Sequence, residues 1–142
     1  MIVPDVNILV YAYNEDAPQH AAARSWWERA LSGDELVGLP WAVLHGYIRL
    51  MTHTRIFAEP LSADEAVADV ESWLAQSVAT ILEPGRQHLP LLRRFLAAAG
   101  RGGSMTTDAV IAAITVEHQA TLFSNDLDFG RFPGLKWENP LQ

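Results

Sequence analysis

Short apolar runs alternate with longer amphipathic stretches along the whole of this chain, and that alternation limits its fold more than any other feature. Each run is too short for a helix, and each intervening stretch is long enough to cross back over a sheet. Strands alternating with helical patterns in this way predict an α/β protein with a mainly parallel sheet. The expected strands are residues 2–3, 36–39, 78–82, 121–123 and 135–137.

The stretches between them carry helical periodicity. After Pro18, the residues Ala22, Trp26 and Ala30 recur every four positions, which predicts one buried face on a helix starting near that proline. Leu44, Tyr47, Ile48 and Met51 form a second stripe. "SADE" at residues 62–65 has the capping-box pattern, with Val67, Val70, Trp73 and Leu74 as the buried face that follows. Leu92, Phe95, Leu96 and Ala99 mark another helix, ended by the "GRGGS" of residues 100–104. The helix of "TTDAVIAAITVEH" is expected to take Thr106 or Thr107 as its cap and to turn Val110, Ile111 and Ile114 inward. The closing "WENPLQ" reads as an edge strand stopped by Pro140. No repeat, linker or low-complexity tract interrupts the pattern.

A chain of 142 residues, 49% of them hydrophobic, has the size and the apolar content of one domain, residues 1–142. Its formal net charge of −7 argues against a protein that coats nucleic acid with a basic surface. The same charge is compatible with a nuclease whose acids surround cations. Without cysteine there is no disulfide, thiolate-metal site or thiol nucleophile. No apolar run approaches the ~20 residues of a membrane span, and no secretory signal is recognisable, so a soluble cytoplasmic protein with no membrane association is expected.

Charge placement supplies the functional signal. Asp5 follows the first strand, Asp126 and Asp128 follow the fourth, and Asp108 lies in the first turn of a helix. Ligands of open α/β sheets bind beyond the carboxyl ends of the strands, where these acids fall. Two such charges ~5 Å apart repel by roughly 3 kcal/mol at an effective dielectric of ~20, a cost that a divalent cation removes. Mg²⁺ and Mn²⁺ prefer oxygen ligands and leave coordination positions open for a phosphate. Each acid also has a local structural use. Asp5 suits the cap of a helix beginning near Asn7, Asp108 complements a helix dipole, and "NDLD" suits a turn.

At these positions the sequence resembles the PIN-domain ribonucleases, specifically the VapC-type toxins of bacterial toxin–antitoxin pairs. The resemblance runs through "PDVNILVYA", "PWAVLHGYIRLMTHTRIF", "TTDAVIAAI" and "TLFSNDLDF", nearly the whole chain. It implies a PIN-like three-layer α/β/α sandwich with a mainly parallel central sheet of about five short strands. It further implies Mg²⁺- or Mn²⁺-dependent endoribonuclease activity on RNA, a homodimer and a cognate antitoxin protein. Carried over by position, Asp5, Asp108 and Asp126 are the catalytic metal-binding acids and Asp128 an auxiliary ligand. Asn7 and Ser124 match polar positions that orient carboxylates through hydrogen bonds.

One position departs from the family. The middle-helix glutamate is replaced by Gly46, preceded by His45, and neither supplies a carboxylate. That departure opens the alternative of a weakly active or inactive RNA-binding module. His45 and Arg101 are the candidate substrate contacts, Arg101 because its glycine-rich segment leads into the helix of Asp108. Arg49, Arg55, Arg86, Arg93, Arg94 and Arg131 are further candidate phosphate contacts, most of them read as ordinary solvated residues. Trp26, Trp27 and Trp41 are assigned to core or dimer packing ahead of base stacking. An aspartyl phosphotransferase is disfavoured, because the single lysine, Lys136, lies beyond every candidate acid.

Overall fold

In a computed structural model describing residues 1–142, all five apolar runs are strands. They are β1 (Ile2–Pro4), β2 (Val37–Pro40), β3 (Ala79–Leu82), β4 (Thr121–Phe123) and β5 (Lys136–Glu138). Every strand pair is parallel, so the sheet is wholly rather than mainly parallel. The strand order is β3-β2-β1-β4-β5. From β1 the chain steps outward to β2 and β3, then crosses back to β4 and β5 on the other side of β1. The direction of winding therefore reverses between β1 and β4, and a crevice opens beyond their carboxyl ends.

Six helices make the crossovers: α1 (Val6–Tyr13), α2 (His20–Ser32), α3 (Trp41–Met51), α4 (Ala63–Leu74), α5 (His88–Ala99) and α6 (Thr106–Glu117). Right-handed connections with this reversal place α1–α4 on one face of the sheet and α5 and α6 on the other, giving three layers. Each face has its own aromatic cluster. Trp73 meets Tyr47, Tyr13 and Trp27 at ring-centroid distances of 4.6, 5.6 and 5.6 Å, joining α1, α2, α3 and α4. On the opposite face Phe132 packs on Phe95 at 5.3 Å and on Phe129 at 6.0 Å.

Local signals set most helix ends. The capping box of α4 forms as expected, Ser62 Oγ accepting from the Glu65 amide at 3.1 Å and Glu65 Oε1 accepting from the Ser62 amide at 3.1 Å. Gly100 ends α5 at φ +76°, a left-handed conformation that suits glycine. The start of α6 differs from expectation. Neither Thr106 nor Thr107 caps it, because a 3-10 turn over Gly103–Met105 runs directly into the helix and Met105 takes the cap position without a side-chain bond.

Two buried faces are also rotated from the sequence reading. In α2 the buried residues are Ala23, Trp27 and Ala30, while Ala22 is exposed and Trp26 rests half-buried against the Phe123 ring at 5.2 Å. Adjacent tryptophans satisfy the helical period in either phase, and packing against Trp73 selects Trp27. In α4 Ala66 replaces Val67 on the inner face, and Val67 is exposed.

Candidate active site

The crevice between β1 and β4 is built by a relay of hydrogen bonds across their ends. The Asp5 amide donates to the Phe123 carbonyl at 2.9 Å, fixing the end of β1 beside the end of β4. Asp5 then caps α1, its Oδ1 accepting from the Val6 amide at 2.7 Å. Its other oxygen accepts from Ser124 Oγ at 2.8 Å. Ser124, fully buried one residue past β4, also accepts from the Asp126 amide at 3.0 Å. Asp126 Oδ1 in turn accepts from the Asp128 amide at 2.9 Å, which opens a 3-10 turn over Leu127–Arg131. One serine thus ties the first acid to the backbone of the third.

Asp5 is 4% exposed, and burial pushes its carboxyl up to about 6. The bonds from Ser124 and Val6 work against that rise, and the Asp126 charge adds to it. Asp108, half-buried in the first turn of α6, is also raised to about 6, first by burial and then by the charges of Asp5, Asp126 and Asp128. All four acids therefore share one electrostatic environment. The ion pairs of the molecule are Met1–Glu35, Arg24–Glu28 and Arg131–Asp128, so among these acids only Asp128 has a cationic partner, at 3.3 Å.

A cleft of about 570 Å³ runs from this point along α3 and the start of α6. Asp5, Asn7, His45, Gly46, Arg49 and Asp108 line it. Of the residues singled out in the sequence, Ser124 orients Asp5 directly. Asn7 forms no side-chain hydrogen bond and faces the cleft instead. Arg101 is exposed outside the cleft lining, and Arg49 is the arginine that lines the cleft together with Asp5 and Asp108. Ser104 and Thr107 also line the cleft, with no sequence signal beyond proximity to Asp108. Arg49, one of several arginines with phosphate-binding chemistry in the sequence, is the one that lines the cleft, and the signal that could have set it ahead of Arg101 is its four-residue spacing from His45 on one helix face.

Gly46 is held by packing. A Cβ there would lie 2.9 Å from Val6 Cγ2, so α3 crosses α1 too closely for a side chain. The family's glutamate has no space at this position while Val6 keeps its place.

Carboxylate oxygens are the donors a hard divalent cation prefers, and buried negative charge without a basic partner is what such an ion relieves. The donor set therefore fits Mg²⁺ or Mn²⁺. The side chains are gathered without being closed, since no three acidic or histidine residues converge on one point at ligating distance. Asp5 has both oxygens engaged, by Val6 and Ser124.

The family model described as "PIN domain" matches residues 2–135. The chain belongs to the PIN-domain family. Among curated relatives, Ribonuclease VapC33 of Mycobacterium tuberculosis is 39% identical over 142 residues, covering 100% of this chain and 99% of the relative. Ribonuclease VapC43 of the same organism is 40% identical over 141 residues, covering 99% and 96%. Solved PIN-fold structures agree in architecture. VapBC2 from Rickettsia felis, bound to a DNA fragment from its promoter, superposes with a TM-score of 0.70 at 22% identity over 98% of both chains. VapC20 of M. tuberculosis, a Sarcin-Ricin loop cleaving toxin, gives 0.68 at 20% identity, covering 92% of this chain and 93% of that one. These two likenesses carry the PIN fold to this chain.

Proposed function

We propose that this PIN domain is a divalent-metal-dependent endoribonuclease and the toxin of a toxin–antitoxin pair. In this reading Asp5, Asp108 and Asp126 hold Mg²⁺ or Mn²⁺, with Asp128 as an auxiliary ligand. The observation that carries it is Asp5, a carboxyl buried to 4% exposure at the sheet's switch point, with no basic side chain paired to it and with the Asp126 charge acting on it, while the charges of Asp5, Asp126 and Asp128 all act on Asp108. End-to-end identity of 39% to a protein named a ribonuclease supports RNA as the substrate class.

When bound, such an ion supplies an activated water and charge compensation on the phosphoryl oxygens. The chain's own part is positional. Ser124 and the Val6 amide hold the Asp5 carboxylate in one rotamer, and Ser124 fixes the backbone that presents Asp126. Asp108 enters from α6, on the opposite wall of the cleft. The crevice is open, so an extended strand has access to the acids.

The solved relatives include VapBC structures, which supports a cognate antitoxin as partner, and a homodimer is what the family resemblance implies. Cytoplasmic action on RNA follows from the same reading. No helix is long and apolar enough to cross a membrane.

The test is cleavage of structured RNA by the purified chain in Mg²⁺ or Mn²⁺, beside Asp5→Asn and Asp126→Asn. Wild-type protein should cut, and both variants should fall to the background without enzyme. Equal cutting by all three would remove these acids from the reaction.

A further inference from the structure

Trp41, His45 and Arg49 stand four residues apart on α3, forming one stripe with a rise of about 6 Å between successive members. His45 and Arg49 line the cleft that holds Asp5 and Asp108. Trp41 lies just beyond that lining, its ring 5.6 Å from the His45 ring with 32° between their planes. Glu83 steadies the indole from below, its Oε1 accepting from Trp41 Nε1 at 3.4 Å.

The exposure of this stripe sets it apart. Trp27 and Trp73 are wholly buried, whereas Trp41 keeps 42% of its surface in solvent, and His45 and Arg49 are exposed beside it. The Arg49 guanidinium has neither an ion pair nor a side-chain hydrogen bond, although it shares a cleft with two carboxylates. Packing accounts for none of these three side chains. Two neighbouring ring faces and a free guanidinium are the parts of a single-stranded nucleic-acid site, in which bases stack on rings and phosphates pair with arginine. A phosphate entering this acidic cleft otherwise meets mostly negative charge.

We infer that α3 carries a nucleotide subsite beside the acids. One base of a single-stranded RNA stacks on the His45–Trp41 shelf, and the adjoining phosphate pairs with Arg49. The shelf holds the strand in register with Asp5 and Asp108 and is a positioning device with no part in bond breaking. It rests on the ribonuclease reading for the identity of the strand, but its affinity for RNA is measurable without cleavage.

The experiment is fluorescence anisotropy of a labelled, mixed-sequence single-stranded RNA oligonucleotide in EDTA, with wild-type protein, Trp41→Leu, Trp41→Phe, His45→Ala and Arg49→Ala. Trp41→Leu and His45→Ala should each weaken binding about tenfold, and Trp41→Phe should retain most of it. Arg49→Ala should lower the slope of log affinity against log salt by about 0.7, the release accompanying one phosphate. His45 is exposed, so its variant tests the shelf even where a Trp41 change disturbs folding.

Unchanged affinity in Trp41→Leu and His45→Ala would overturn the subsite and leave the exposed indole to a protein partner, as would a wild-type chain that binds no RNA. Cleavage separates the two readings. Wild-type RNA binding that depends on the shelf but yields no cutting in Mn²⁺ would keep the subsite and remove the nuclease. Cutting whose KM is indifferent to Trp41→Leu and His45→Ala would do the reverse.

Discussion

At the scale of single residues, the order of the site depends on Ser124. Its hydroxyl donates to Asp5 in a buried bond and accepts from the Asp126 amide in a part-buried one. Ser124→Ala therefore leaves a buried carboxylate and a backbone amide each short of a partner, and should destabilise the fold by about 2–3 kcal/mol near neutral pH. The loss should shrink near pH 4.5, where Asp5 is protonated and the bond is no longer charge-assisted. Urea unfolding at the two pH values measures it, and an equal loss at both would mean that the hydroxyl serves the amide alone. The sequence placed Asn7 and Ser124 alike beside acids, but only Ser124 proved to be a partner. Asn7 lines the same cleft as Asp5 but forms no side-chain hydrogen bond to it. Ser124 lies 119 residues away and reaches Asp5 only because β1 and β4 pair, which no local pattern reveals.

At the scale of elements, α3 shows how packing overrides a family pattern. Glycine inside a helix costs roughly 1 kcal/mol relative to alanine, so Gly46→Ala at a free position would stabilise the chain. Here the added Cβ would stand 2.9 Å from Val6 Cγ2, in the core contact between α1 and α3. Overpacking of this kind costs about 1–3 kcal/mol and should cancel or reverse the gain. Gly46→Glu should be worse, displacing Val6 next to Asp5 and lowering metal affinity as the added acid arrives. Thermal unfolding of both variants tests this, and a stabilised Gly46→Ala would show that α1 gives way. The strands were legible because short apolar runs bounded by polar turns admit no other regular structure. Helix phase was less so. Trp26 and Trp27 fit the period of α2 equally well, and only the Trp73 ring at 5.6 Å from Trp27 decides between them. The acids were legible as a set at the strand ends, whereas the Arg49 face of the cleft required the angle at which α3 meets α6.

At the scale of the whole molecule, gathering four acids should make the metal-free fold depend on pH in a way set by two opposing groups of carboxyls. Asp5 and Asp108 are raised from 3.8 to about 6, so their contribution is fully present below about pH 4 and is lost as pH rises through 6. For the buried Asp5 that change is on the order of 3 kcal/mol. Glu117, bonded to the Gly85 and Gln87 amides, is lowered from 4.5, so its contribution is present above that value and is lost as pH falls. Metal-free stability should therefore peak between about pH 4.5 and 6 and decline toward neutrality. A cation that replaces the protons reverses the decline. Millimolar Mn²⁺ at about a hundred times its Kd adds ~2.7 kcal/mol, or roughly 8–10 °C in Tm for a chain of this size. The gain should be full near pH 7.5 and slight near pH 5, where protons compete for the same oxygens. Asp5→Asn sharpens the test, because asparagine caps a helix about as well as aspartate but carries no charge to desolvate. That variant should melt higher than wild type without metal at pH 7.5, and should gain little when Mn²⁺ is added. Stability given up at one buried carboxyl is then recovered only through the ligand it is kept to bind. A wild-type Tm indifferent to Mn²⁺ near pH 7.5, with Asp5→Asn no more stable than wild type, would mean that the acids are merely neighbours.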